Sequence, residues 1–344
     1  MKLSLALPVY NGANYLSEAL ESAIAQGPEL TEIVVSDNCS SDSTPDIVIE
    51  FARRDSRVRH ERSNVFLNQA DNVTRSISLC RNEWVQLLCH DDLLRPGAIA
   101  ALSAVIGEIK NEDCALISHL PCHLFSDGHT YRHVDGMGRV ESKADLMGKT
   151  NAFSEDGEHV LVKADTSLGE SMRKGDIPYL PAVTTAAVRR TAFLKMGGFD
   201  PRWVHFDVFF WVRMIQEYDY LKVSDHWTLT RVHAQQVAVL SRKNQRSYRD
   251  FRDFYAAFLP EAKRRYRIGL WPFLKLRLKP LSQASAPLVV AMHKRQPFQF
   301  LSQWMALPVL LWLPVLPLAC ANFFREKRRN AQLWEKVSPS LTYE

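Results

Sequence analysis

The chain has 344 residues, of which 46% are hydrophobic and 24% charged, with a net charge of +5. That length and apolar content exclude a disordered or fibrous chain and suit about two domains, or one large domain with an appendage. The charge is segregated: residues 260–344 hold 14 Lys and Arg against 4 Asp and Glu, whereas residues 1–259 hold 29 against 34. An acidic body is therefore joined to a basic tail, and the two parts suit different partners.

The six cysteines, Cys39, Cys80, Cys89, Cys114, Cys122 and Cys320, show no CxxC pair and no Cys/His zinc spacing. A reduced, cytosolic setting is the economical reading. The opening run "MKLSLALPVYNGANYL" is too short and too quickly polar for a signal peptide. It reads as a strand over residues 3–9, stopped by Pro8 and the Asn11-Gly12 turn.

In residues 14–26, Leu16, Ala19, Leu20, Ala23 and Ile24 recur at helical spacing. "EIVVS" (32–36) is a second apolar run, followed by the loop "DNCSSDST". The next helix is expected over 44–54, with Thr44 as its N-cap and Pro45 at its first position. "VRHERS" reads as a short third strand, 67–82 as a helix and "EWVQLLC" as a fourth strand. Strands alternating with helices through short connections predict an α/β fold with a mostly parallel sheet flanked by helices. Ligands of such sheets collect beyond the carboxyl ends of the strands. Asn11, Asp37 and the pair Asp91-Asp92 all fall there.

A helix is expected over about 98–110, then an apolar stretch at 114–125. Residues 126–180 are Gly-, Asp- and Lys-rich with weak periodicity, too long for an idle connection and readable as a lid or acceptor-binding insertion. Order returns at "AVTTAAVRRTAFLKMGGFDPRW", a strand, a helix and a Gly-Gly turn. The helix in "HFDVFFWVRMIQEYDYLKVSD" follows. The tail differs in kind. No residue between Arg295 and Arg325 is charged, and 304–324 is almost wholly apolar, though Pro308, Pro314 and Pro317 argue against one straight spanning helix. Basic clusters on both sides suit a segment with both ends on the cytoplasmic face, re-entrant or lying in the interface.

Together, "LALPVYNGANYLSEALESAIAQ", "EIVVSDNCSSDST", "NEWVQLLCHDDLLRPGAI" and "VRRTAFLKMGGFD" resemble family 2 glycosyltransferases of the GT-A fold. The likeness in order and interval runs from residue 3 to about 240. It implies a Rossmann-like catalytic domain over 1–240; composition and charge add a basic helical linker over 241–295 and a membrane-associated apolar segment over 296–344. It places Pro8, Tyr10 and Asn11 in the nucleotide-lining turn and Asp37 against the base, although Asp37 also reads as an Asx-turn residue. Asp42 occupies an acidic loop position and reads as a cap of the next helix.

Asp91 and Asp92 match the end of the family's acidic motif. A departing diphosphate builds negative charge that this acidic body does not offset, so the resemblance implies a divalent cation, Mg²⁺ or Mn²⁺. Asp92 is expected as its ligand, with Asp91 on the ribose or supporting the metal, and His233 as a further ligand. Two places before the pair, where many members carry another acid, this chain has Cys89, followed by His90.

Inversion needs a base for the acceptor hydroxyl. The resemblance assigns Asp207 in "HFDVFFW", where Phe206 replaces the usual Glu. Its aromatic neighbours would raise the carboxyl pKa, while its helix-terminal position also suits a simple cap. Arg231 is expected near the diphosphate, and Thr184, Thr185 and Trp211 on the sugar and acceptor side. No QxxRW motif of processive synthases occurs, which favours single sugar additions.

The implied activity is transfer of one sugar from a nucleotide-sugar, UDP-linked, to a glycan or lipid-linked acceptor in surface polysaccharide assembly. The enzyme would sit on the cytoplasmic face of the membrane and touch its surface through 296–329. A nucleotidyltransferase would carry a basic Gly-rich loop after the first strand, which "PVYNGANYL" lacks. The missing acids at positions 89 and 206 leave a non-catalytic nucleotide-sugar-binding protein as an alternative. Nucleic acid is not an expected partner, because the basic clusters surround an apolar segment rather than an aromatic platform.

Overall fold

A computed structural model describes residues 1–125, 128–134, 137–143, 147, 159–178, 180–233, 246–278 and 280. The strands in chain order are β1 Leu3–Val9, β2 Leu30–Asp37, β3 Val58–Arg62, β4 Trp84–Leu87, β5 Leu93–Leu94, β6 Cys114–Ser118 and β7 Pro121–Leu124. They continue with β8 His129–Val134, β9 Met137–Ser142, β10 His159–Val162, β11 Ala186–Arg189, β12 Asp219–Val223 and β13 Thr228–Arg231. Eight of them form the main sheet in the order β10-β12-β6-β11-β4-β1-β2-β3, and five form a second sheet, β5-β13-β7-β8-β9. In the main sheet β1, β2, β3 and β4 run parallel, as do β6 and β12. β11 runs antiparallel to both of its neighbours, β4 and β6, and β10 antiparallel to β12.

Every residue of β1 is buried, because helices cover both faces of a parallel sheet and leave no solvent side. Helix Leu16–Ile24 buries Leu16, Ala19, Leu20 and Ala23, the stripe its spacing predicts. Helix Gln69–Ser78 starts from Asn68, whose side chain accepts the Asp71 backbone N–H, an N-cap that satisfies one otherwise orphaned donor. One core cluster joins helix Leu16–Ile24 to β1 and β2. A second lies under helix Phe206–Glu217, and a small third joins Leu93, Cys122, Leu124 and Leu229 of the second sheet.

Several expectations need correction. Helix Thr44–Arg54 is flanked by Ser43, and the Thr44 hydroxyl accepts the Gly12 backbone N–H at 2.9 Å instead of capping its own helix. The segment 126–180 is less irregular than its composition implies. Its described residues include the antiparallel hairpin β8–β9, strand β10 and helix Thr166–Arg173. Residue 240 is not a packing boundary either. In helix Arg246–Arg265 the side chains of Tyr255, Leu259 and Ala262 share a core with Phe193 and Phe210, and Leu276 of helix Leu270–Leu278 joins them. The segment 296–344 and its apolar run 304–324 lie outside the described residues.

Candidate functional site

The parallel strands end at one rim, and β11, being reversed, begins there. The rim thus gathers the turn after β1, the loop after β2, the acidic segment after β4 and the turn Val183–Thr185 before β11. In the first turn Asn11 adopts φ 47°, a left-handed conformation that Asn tolerates better than most residues. Its Oδ1 accepts the Ser41 N–H at 2.9 Å, while its own N–H donates to Ser40 Oγ at 3.0 Å. These bonds tie the turn after β1 to the loop after β2. Pro8 is buried within β1, whereas Tyr10 is exposed and packs edge-on against Phe66, centroids 4.9 Å apart.

Asp37 is fully buried at the end of β2. Its Oδ1 accepts the Ser40 N–H at 2.9 Å, and its Oδ2 lies 3.2 Å from His60 Nε2 and 3.5 Å from Arg62. The backbone bond is to the third residue on, one beyond an Asx-turn, and both oxygens are held by the chain itself. Asp42 Oδ1 accepts the Thr44 N–H at 3.0 Å, as its capping reading requires, and Oδ2 accepts that of Ala13.

The two adjacent acids face different surroundings. Asp91 Oδ2 lies 2.9 Å from His233 Nε2. Burial would raise the Asp91 carboxyl, but the His233 hydrogen bond and the His90 and His233 imidazoles outweigh it and hold the group below its usual range. Asp92 is only 3% exposed, and its Oδ1 accepts the Arg231 backbone N–H at 2.8 Å. Burial, then the charge of Asp91, pushes its carboxyl well above the usual range. The Thr184 hydroxyl lies near enough to Asp92 to favour its charged form, yet falls short of hydrogen-bond geometry and has no partner among the described residues. Burial lowers the imidazole pKa of His90, which packs within reach of Gly12. A Cβ on Gly12 would stand 2.6 Å from the His90 ring, so only glycine allows this approach.

Arg231 braces the same corner. Its Nε donates to the Asp91 carbonyl at 2.9 Å, its guanidinium reaches Glu18 at 3.3 Å, and it lies 4.6 Å over the ring of Tyr15. Glu18 is also bonded to Lys143, which holds its carboxyl low. Tyr15 in turn packs against the His233 ring at 5.3 Å. Sequence reasoning did not find Tyr15, Glu18 or Lys143, because only the fold brings residues so far apart in the chain together.

Asp207 opens helix Phe206–Glu217, and its Oδ1 accepts the Val208 N–H at 2.9 Å. Burial raises its carboxyl to about 6, against the opposing pull of the Val208, Asp207 and Val183 backbone N–H groups. Cys89 connects the two halves of the rim. Burial, followed by the charges of Asp92, Asp91 and Asp207, pushes its thiol well above the ordinary value. One side chain thus lies in the field of all three carboxylates. Thr185 is buried, its hydroxyl donating to Ala182 O at 3.2 Å. Trp211 corrects an expectation: it is fully buried between Phe199 and Phe210 and has no surface to offer a sugar or acceptor.

The donor set admits a divalent cation. The ligand atoms of Cys89, Asp91 and Asp92 lie within 4.8 Å of one another, and His233 adds an imidazole whose Nδ1 is buried without a partner among the described residues. The carboxylate oxygens suit Mg²⁺ or Mn²⁺, and the imidazole favours the transition metal of the two. The accessible ligand pair is Asp91 with His233. Asp92, expected as the principal ligand, is deeper, and one of its oxygens is already engaged.

Open α/β sheets bind ligands beyond the carboxyl ends of their strands, where these acids and this histidine lie. Residues 4–158 match the model described as Glycosyl transferase family 2. Glycosyltransferase GlyG of Streptococcus pneumoniae serotype 4 is 30% identical over 136 residues, which cover 39% of this chain and 44% of GlyG. The chain thus spans less than half the length of this curated relative. Among solved structures, TarS 1–349 of S. aureus in complex with UDP-GlcNAc is similar at TM-score 0.55 and 17% identity, over 98% of this chain and 86% of that one. The mannosyltransferase PcManGT of Pyrobaculum calidifontis, in complex with GDP-Man and Mn²⁺, is similar at TM-score 0.52 and 15% identity, over 99% and 84%.

Proposed function

We propose that this protein is an inverting glycosyltransferase that moves one sugar from a UDP-linked donor to a hydroxyl of a glycan or lipid-linked acceptor, in surface polysaccharide assembly. The observation that carries the reading is the cluster of Cys89, Asp91 and Asp92, whose ligand atoms lie within 4.8 Å of one another, with His233 2.9 Å from Asp91. On this reading Asp207 faces that cluster across Cys89 as an isolated carboxylate. The nucleotide-sugars bound to TarS and PcManGT support the donor class.

On this reading the turn Pro8–Asn11 and the Asp37 loop line the nucleotide. Tyr10 supplies an exposed ring to the base, and Asp37 acts by fixing His60 and Arg62 around it. Asp91 and His233 hold the cation, with Asp92 behind them. When bound, the cation offsets the charge that builds on the leaving diphosphate. Arg231 keeps its positive charge beside the same corner. Asp207 takes the proton of the acceptor hydroxyl. A carboxylate with a pKa near 6 is ionised at neutral pH and more basic than an ordinary one. Attack on the anomeric carbon from the face opposite the diphosphate inverts its configuration. Thr184 and Thr185 shape the wall between the two halves. We further place the enzyme at the cytoplasmic face of the membrane, in contact with it through 296–329.

Incubating the purified full-length chain with a panel of nucleotide-sugars, Mn²⁺ and membrane-derived acceptors, followed by mass spectrometry of the products, tests the reading. A single added sugar, lost in Asp207→Asn while nucleotide binding persists, supports it. Undiminished turnover in Asp207→Asn would remove the proposed base.

A further inference from the structure

The short helix Leu270–Leu278 presents an apolar stripe to solvent. Leu270 is 63% exposed, Trp271 78%, Leu274 36% and Leu278 58%. Leu270, Leu274 and Leu278 follow one another at intervals of four and so share one face of a helix, with Trp271 beside them. At 3.6 residues per turn, Arg277 falls on one flank of the stripe and Lys275 on the other. The opposite side of the helix is committed to the protein: Leu276 is fully buried in the core, with Phe273 packed against it. Lys263 lies 4.6 Å over the Phe273 ring, and Lys275 Nζ donates to Lys174 O at 3.4 Å. The inner face thus fixes the helix, and the outer stripe is held out rigidly.

Charge indicates what the stripe meets. From Ala262 to Arg325 the chain has ten Lys and Arg residues and no Asp or Glu. The helix is apolar on both faces, one packed on the core and one turned outward, and an outward apolar face with a Trp and basic flanks suits the boundary between headgroups and acyl chains. Anionic headgroups attract the flanking cations, and the apolar side chains enter the acyl boundary. No described helix is long and apolar enough to cross a membrane, so this contact lies on the bilayer and does not span it.

We propose that the outer face of Leu270–Leu278 is a membrane-docking surface selective for anionic lipid, distinct from the apolar run at 304–324. The proposal does not depend on the transfer chemistry.

The test uses the full-length chain with vesicles of phosphatidylcholine alone and of phosphatidylcholine mixed with phosphatidylglycerol. Flotation measures partitioning, and amide hydrogen exchange reads residues 270–278 directly. The unaltered protein is expected to gain protection at 270–278 with the anionic vesicles. Trp271→Ser/Leu274→Ser and Lys275→Glu/Arg277→Glu should each lower anionic-vesicle partitioning about tenfold, the second pair losing the lipid selectivity as well. Exchange in the unaltered protein decides the matter even if a variant misfolds. Unchanged protection on adding vesicles would overturn the proposal, even where the chain floats through 304–324. So would full protection of 270–278 before lipid is added, which would mean that other parts of the chain cover the stripe. Concentration-dependent self-association lost in the serine variant, without lipid-induced protection, would assign the face to a second copy instead.

Discussion

Asp91 and His233 lie 2.9 Å apart although 142 positions separate them in the chain. A carboxylate held below its usual range and an imidazole are both strong ligands once a cation arrives. Asp91→Asn and His233→Ala are each expected to weaken Mn²⁺ binding by more than about 100-fold in calorimetric titration, beyond the cost of losing a supporting partner. Asp92→Asn should weaken it less, by about 10- to 100-fold, because Asp92 is buried behind the pair and bonded to Arg231.

The Asp207 carboxyl is raised to about 6, and a base must be ionised to act. With donor and acceptor subsaturating, the rate should rise about tenfold per pH unit below 6 and level off above it. Asp207→Asn should flatten that limb and lower the rate by about 10²- to 10⁴-fold. A profile that keeps its acidic limb in the variant would assign the limb to another group.

The same elevation has a stability consequence of definite sign. Between the ordinary carboxyl value of 3.8 and about 6, the folded chain binds more of this proton than the unfolded chain. Stability therefore falls as pH rises through that window, and above it the full cost of a buried charge remains. Asp207→Asn should be more stable than the parent by about 3 kcal/mol at pH 7.5 and by well under about 1 kcal/mol at pH 4. Urea melts at the two pH values check this.

Trp211 is fully enclosed beside Phe199 and Phe210. Trp211→Ala should cost about 3–5 kcal/mol in chemical denaturation. Acceptor KM, measured on the folded fraction, should stay unchanged. A selective rise in acceptor KM without loss of stability would return the residue to the site.

Much of the front half was legible because its signals are local. The apolar runs and the Leu16, Ala19, Leu20, Ala23 stripe mark strands and helix through periodicity alone. Asp91 and Asp92 stood out as carboxylates at a strand end, and Asp207 through the family resemblance. What periodicity cannot convey is partnership across the sheet. The Glu18–Arg231–Tyr15 brace joins residues more than 200 positions apart, and nothing in either segment announces the other. Trp211 misled for a related reason: an aromatic next to a functional acid reads equally well as a wall or as core, and only helix packing decides. The helices after residue 245 looked like a linker because their charged faces dominate the composition, while Tyr255, Leu259 and Leu276 carry the packing.

The reversed strand β11 has a further consequence. Parallel strands deliver their following loops to the rim, whereas β11 delivers the segment that precedes it, ending in Val183–Thr185. The two sides of the rim are therefore tethered to different stretches of polypeptide, one after β4 and the other before β11. Lengthening or exchanging the stretch upstream of Val183 would leave the register of β1, β2 and β4 untouched, so one side can be remodelled while the other keeps its shape.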